Sequence, residues 1–217
     1  MKTKFTLIAL LFFISTAVMA FDPAYNAAME GQLKALKEAQ TAADFKAVAN
    51  GFNRISQMNP DKWLPDYYAA LAYTNAGFVL EGNQDAQDKN FKLAEKVIDD
   101  CIARNGENAE LVALKGYALM GELAVDPQTR GQQLSGLVMQ TFGRALKLEP
   151  ENPRAMAMMA QMQLGMAKFF GEGPEKACGM AKQSLQYFEI EENQESSYPF
   201  APKWGKESAE AVINSCN

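Results

Sequence analysis

Apolar residues between positions 48 and 145 fall into three sets with one internal spacing, i, i+4 and i+7. They are Val48, Phe52 and Ile55; Ala94, Ile98 and Cys101; and Val138, Phe142 and Ala145. That spacing keeps to one face of a helix. Each set runs into a helix-ending turn, at Asn59-Pro60, Asn105-Gly106 and Glu149-Pro150. Ten residues beyond each turn stands a small side chain, Ala70, Gly116 or Ala160, where the two helices of a pair would pack closest. The pattern predicts one helix-pair unit, used repeatedly.

The turns lie 46 and 44 positions apart, from Pro60 to Gly106 and from Gly106 to Pro150. A tetratricopeptide repeat has a period of about 34 residues, so roughly 10 to 12 residues per unit are surplus. The register is kept on both sides of the surplus, which places it between the two helices of a pair. The segments Glu81-Gly82-Asn83-Gln84-Asp85 and Asp126-Pro127-Gln128-Thr129-Arg130-Gly131 are read as the inserted loops. Asp22-Pro23, Asn152-Pro153 and Gly173-Pro174 read as helix starts. Thr41 with Asp44 reads as a capping box, and Gly106 as a helix-ending residue with positive φ. No stretch alternates with period 2. The expected fold is all-α, a solenoid of tetratricopeptide-like antiparallel helix pairs with about nine helices.

Several blocks resemble an uncharacterised family of exported tetratricopeptide-like proteins from Gram-negative bacteria. They are Phe52-Asn53-Arg54-Ile55, Trp63-Leu64-Pro65-Asp66-Tyr67-Tyr68-Ala69-Ala70, Asp126 to Gln133, Pro150 to Ala155, and Pro202-Lys203-Trp204-Gly205-Lys206-Glu207. The resemblance spans nearly all of the chain after residue 20. It implies a helical-repeat fold and an exported protein, and carries no activity with it.

The first twenty residues have a different pattern. Lys2 and Lys4 precede an apolar run from Phe5 to Val18, and Ala20 comes before Phe21. This is the plan of a cleavable secretory signal, with cleavage expected after Ala20. The run is shorter than the roughly 20 apolar residues of a spanning helix. Residues 1–20 are therefore read as a signal peptide and 21–217 as one helical-repeat domain, periplasmic or secreted and not inserted in the membrane. Losing Lys2 and Lys4 and no acid widens the excess of 26 acidic over 21 basic residues. Such a chain is not expected to bind nucleic acid, whose partners gather Lys and Arg on one face.

The chain contains no histidine, which removes the commonest general base, the Ser-His and Cys-His nucleophile pairs and most zinc sites. No Gly-rich phosphate loop occurs. Asp99-Asp100 and the run Glu189, Glu191, Glu192, Glu195 are read as solvated faces, and Asn83, Asp85 and Asp88 as a polar loop without the glycine and closing Glu of a calcium site. No enzyme and no cofactor is expected.

Three features carry candidate sites. Met156, Met158, Met159, Met162 and Met166 share one predicted helix. Met is an adaptable core filler, yet Met159, Met162 and Met166 lie close to one stripe whose thioethers suit Cu(I). Trp63, Tyr67, Tyr68 and Tyr73, with Tyr198, Phe200 and Trp204, are read mostly as packing residues. Cys101, Cys178 and Cys216 make an odd count for an oxidising compartment; Cys101 reads as a buried thiol, and a Cys178–Cys216 disulfide is expected.

The favoured function is a non-enzymatic interaction module of the cell envelope whose concave face receives a protein or peptide. Its candidate contacts are Tyr68, Asn75, Tyr117 and Arg130. The positions that clamp a carboxylate in well-studied tetratricopeptide grooves are here Tyr67 and Leu71, Ala113 and Tyr117, Ala157 and Gln161, so an apolar or neutral peptide is expected. Arg130 is read as a carboxylate hook or as a partner of Asp126. The alternative is a carrier of Cu(I) or of a small ligand on the Met-rich helix.

Overall fold

The computed structural model describes residues 22–194 and 199–216. The signal segment with its cleavage site, Glu195 and Tyr198 lie outside the described residues. Those residues form nine helices and no strand: α1 (Pro23–Glu38), α2 (Ala42–Met58), α3 (Leu64–Phe78), α4 (Gln84–Asn105), α5 (Ala109–Val125), α6 (Pro127–Leu148), α7 (Pro153–Phe170), α8 (Glu175–Asn193) and α9 (Lys206–Asn214). No helix among them is long and apolar enough to cross a membrane.

The helices begin where local chemistry satisfies their first free amides. Asp22 accepts from the Ala24 and Tyr25 amides, Thr41 and Asp44 form a complete capping box, and Asn152 accepts from Ala155 ahead of Pro153. Gly106 ends α4 at φ 84°, a left-handed backbone that favours glycine. At Gly173-Pro174 the start shifts by one residue: α8 begins at Glu175, with no side-chain cap.

The inserted loops require correction. Asn83 caps α4 through the Ala86 amide, and Asp126 alone separates α5 from α6, capping it through Thr129. The surplus residues have gone into the second helix of each pair, so that α4 and α6 each reach 22 residues. Asp-Pro is a helix start as readily as a turn, and no second proline interrupts the chain between Pro127 and Leu148.

Two layers result. α3 and α5 are apolar on nearly every face, and α3 buries thirteen of its fifteen residues. α3 packs on α5 and α5 on α7, forming the inner layer. The outer helices are amphipathic; α6 buries only Val138, Phe142 and Ala145, one of the three sets read from the sequence. All nine residues of those sets are buried. Contact between layers is close enough to require glycine: a Cβ on Gly116 would stand 2.5 Å from the Phe142 ring, and one on Gly77 or Gly121 would meet Phe91 at 2.6 or 2.4 Å. α9 folds back onto α7 and α8.

Candidate functional site

The face expected to receive a peptide is already covered by the chain itself. Residues 200–205 lie across the inner helices, where the Tyr68 hydroxyl donates to the Phe200 carbonyl (2.8 Å) and Trp204 Nε1 donates to the Tyr67 hydroxyl (2.7 Å). The Trp204 indole stacks on Tyr117, with centroids 5.2 Å apart. Tyr67 in turn donates to Glu110 (2.9 Å), which also receives Arg154 Nε at 2.8 Å. Arg154 reaches Glu191 and the Pro202 carbonyl from the same guanidinium. Arg154 and Glu110 are both nearly solvent-free, and this ion pair is satisfied on all sides by hydrogen bonds.

Two of the candidate contacts are thus engaged by the chain itself. Asn75 is half-buried on α3, its carbonyl accepting from the Val79 amide. Arg130 lies in the first turns of α6, where its guanidinium makes a two-pronged pair with Asp88 (2.6 and 2.7 Å) and donates to the Glu122 carbonyl (2.9 Å). The pair holds the Asp88 carboxyl below the usual carboxylate range. Its partner is Asp88 of α4, which the extended second helices bring within reach, and Asp126 is occupied as a cap.

The acidic residues flagged in the sequence are similarly engaged. Asp99 pairs with Lys115, Asp100 with Lys96 and Glu192 with Lys206. Among the described residues no group of three or more His, Cys, Asp or Glu side chains is placed to hold a metal ion. Burial pushes the free Cys101 thiol up to about 12, so it is no nucleophile at neutral pH. Cys178 and Cys216 are joined in a disulfide with Cα atoms 6.1 Å apart, fastening α9 to α8.

What remains open is a cleft of about 650 Å³ at the far end of the inner layer. The C-terminal end of α5 supplies Met120, Leu123 and Ala124. The start of α6 supplies Pro127, Gly131 and three polar side chains, Gln128, Gln132 and Ser135. The second half of α7 supplies Gln161, Met162, Gly165, Met166, Phe169 and Phe170, and α3 closes one side with Phe78. None of the lining residues is charged. Phe169 and Phe170 are 71% and 64% exposed, with rings nearly perpendicular at 5.2 Å, so a large apolar surface borders the mouth. Gly131 and Gly165 keep the walls low, since a Cβ on either would meet nothing within 4 Å. Phe78 links the cleft to the filled face by packing on Tyr117 at 5.0 Å.

The Met-rich helix divides here. Met162 and Met166 face the cleft, Met156 and Met158 are buried, and Met159 packs against the apolar cluster around Leu119 and Phe142. A second cavity of about 480 Å³ lies between α8 and residues 201–206 and mixes Glu149, Glu151, Glu191 and Glu192 with Lys203 and Lys206.

Along most of its length the chain is similar to a solved structure, the HusA haemophore from Porphyromonas gingivalis. The two superpose with a TM-score of 0.76 at 27% sequence identity, over 88% of this chain and 92% of that one. No family model and no curated protein matches.

This likeness corrects the expectation of a peptide-presenting module. The similar protein is a haemophore, and the face expected to receive a peptide is occupied by residues 200–205. The likeness favours the alternative of a small-ligand carrier on the Met-rich helix, whose Met162 and Met166 line the cleft, but the cleft itself was not anticipated, although Gly131, Gly165 and the Phe169-Phe170 pair were visible in the sequence. A glycine within a helix and two aromatics at its polar end are weak signals until the fold sets them against one another.

Proposed function

We propose that the protein is a small-ligand carrier that holds a flat, apolar tetrapyrrole in the cleft between α5, α6 and α7. The observation that carries this reading is an uncharged, open cleft of about 650 Å³ in a chain resembling a haemophore. Small-ligand sites are typically apolar clefts of about 300 to 1,000 Å³ with a few polar groups that set orientation. Here Gln128, Gln132, Gln161 and Ser135 play that part. They offer amide and hydroxyl donors to ring carboxylates, without a fixed cation.

The role is non-enzymatic. A carrier of this kind works outside the inner membrane, in keeping with the signal-type N-terminus, and the helix pairs spaced by 44 to 46 residues support kinship with exported tetratricopeptide-like proteins.

Titration of the protein lacking residues 1–20 with iron protoporphyrin tests the reading. Saturable perturbation of the porphyrin absorption is expected, with quenching of Trp204, which is coupled to the cleft through Tyr117 and Phe78. Absence of saturable binding at micromolar concentrations would overturn it.

A further inference from the structure

Phe78, the last residue of α3, closes one side of the cleft, and its ring touches two others. It meets Phe91 of α4 edge-on at 5.1 Å and lies tilted on Tyr117 of α5 at 5.0 Å. Phe91 is fully buried against Gly77 and Gly121, where a Cβ would clash with its ring, so that contact is fixed by the fold. Tyr117 is half-buried and stacks in turn on Trp204, in a segment, residues 201–205, without regular secondary structure. That segment is nonetheless closely held. It follows Phe200 at φ 65° and ends in Gly205 at φ 100°. A left-handed backbone is uncommon at an aromatic residue and persists only where its surroundings determine it. Three hydrogen bonds do so here, from Tyr68 to the Phe200 carbonyl, from Arg154 to the Pro202 carbonyl and from Trp204 to Tyr67.

Resting on the carrier reading above, we propose that Trp204 is a positioning residue of the cleft: its indole, acting through Tyr117, holds the Phe78 ring in place to receive the cargo. Trp204 itself is not part of the lining. Aromatic pairs prefer definite offset-stacked or edge-to-face arrangements, so a series of three rings restricts the half-buried Phe78 more than an aliphatic neighbour of Tyr117 would. A lining side chain that is already ordered need not be ordered by the ligand, and losing that order weakens binding by about two- to tenfold. The segment that covers the inner face thereby has a second role, bracing the cleft at the far end of the inner layer.

The experiment is a double-mutant cycle in the protein lacking residues 1–20, titrated with iron protoporphyrin and read from the porphyrin absorption, which does not depend on the indole. Trp204→Leu is expected to weaken binding about three- to tenfold. Trp204→Phe, which keeps a ring over Tyr117, is expected to weaken it less than about twofold. Phe78→Leu removes the ring that is positioned and is expected to weaken binding by itself. Added to it, Trp204→Leu is expected to cost no further affinity, although its effect on the urea midpoint persists. A merely structural role would move the midpoint alone, or weaken binding equally in both backgrounds. Circular dichroism establishes that each variant is folded, and Tyr117→Leu, which breaks the series at its middle ring, replaces Trp204→Leu if that variant does not fold. Unchanged affinity in Trp204→Leu, an equal loss in the two backgrounds, or a loss in Trp204→Phe as large as in Trp204→Leu would overturn the positioning role while leaving the carrier reading intact. Failure of wild type to bind the porphyrin would overturn both.

Discussion

Trp204 Nε1 donates to the hydroxyl of Tyr67 at 2.7 Å, tying the segment after α8 to the first turn of α3. The Tyr67 phenol is fully enclosed, and burial together with the Glu110 carboxylate holds its pKa well above the ordinary value. Removal of the indole donor leaves this enclosed hydroxyl one partner short. Trp204→Phe is therefore expected to lower the unfolding free energy by about 1 to 3 kcal/mol, read from the urea midpoint. An unchanged midpoint would show that the contact does not hold the segment in place.

The Cys178–Cys216 bond closes a separation of 38 residues around α9. In the chain-entropy model such a link stabilises by about 4 kcal/mol. The double variant Cys178→Ser/Cys216→Ser should lose about that much in chemical denaturation. Thiol labelling of the unfolded, unreduced protein should find Cys101 alone reactive, and labelling at all three cysteines would contradict the bond.

Glu122 is a source of pH dependence. It is 5% exposed, and Lys92 Nζ lies 2.6 Å from its Oε1. Burial, with a hydrogen bond to Glu95 second, pushes the carboxyl up to about 7 against the pull of Lys92. The folded pKa is above the unfolded one, so between about 4.5 and 7 the folded state keeps a proton that the unfolded state releases. Its contribution is fully present below that window and is lost as pH rises through it. Glu122→Gln does not titrate, and between pH 5 and pH 8 it should gain on wild type by about 2 kcal/mol, since most of the shift from 4.5 to about 7 falls in that interval and one unit is about 1.4 kcal/mol. Thermal melts at the two pH values measure this. A wild-type-minus-variant difference that is flat with pH would exclude the assignment.

Gly165 separates cleft volume from fold stability. It lies within α7 on the cleft wall, and a side chain there projects into open space. Leucine is a better helix former than glycine by about 0.8 kcal/mol. Gly165→Leu should therefore raise or preserve the melting temperature while weakening porphyrin binding at least tenfold. Full binding by the folded variant would place the ligand elsewhere.

Helix identity, the faces of the outer helices and several caps were legible in the sequence because each depends on residues within a turn or two. Val48, Phe52 and Ile55 fall on one stripe whatever lies against them, and Asn152 caps whatever helix begins at Pro153. Gly116, placed against Phe142, obeys the same logic one step further, since small residues at a fixed register imply close approach, whereas Gly77 and Gly121 against Phe91 lie outside that register and were not singled out. Helix length was less legible, because Asp126-Pro127 satisfies a turn and a helix start equally. The groove was misread for a different reason: Tyr68 and Tyr117 do occupy the inner face, but nothing local states that residues 200–205, more than eighty positions from Tyr117, return to cover it.

An all-α chain of repeated helix pairs was thus fixed by short-range periodicity and capping, which need no tertiary context. Which surface stayed open was settled by long-range packing alone. It set the apolar ends of α5 and α7 around a cleft and closed the other face with the chain's own Trp204. Both outcomes depend on contacts between residues far apart in sequence, whose energies come from mutual burial and hydrogen bonding rather than from any residue's own preference.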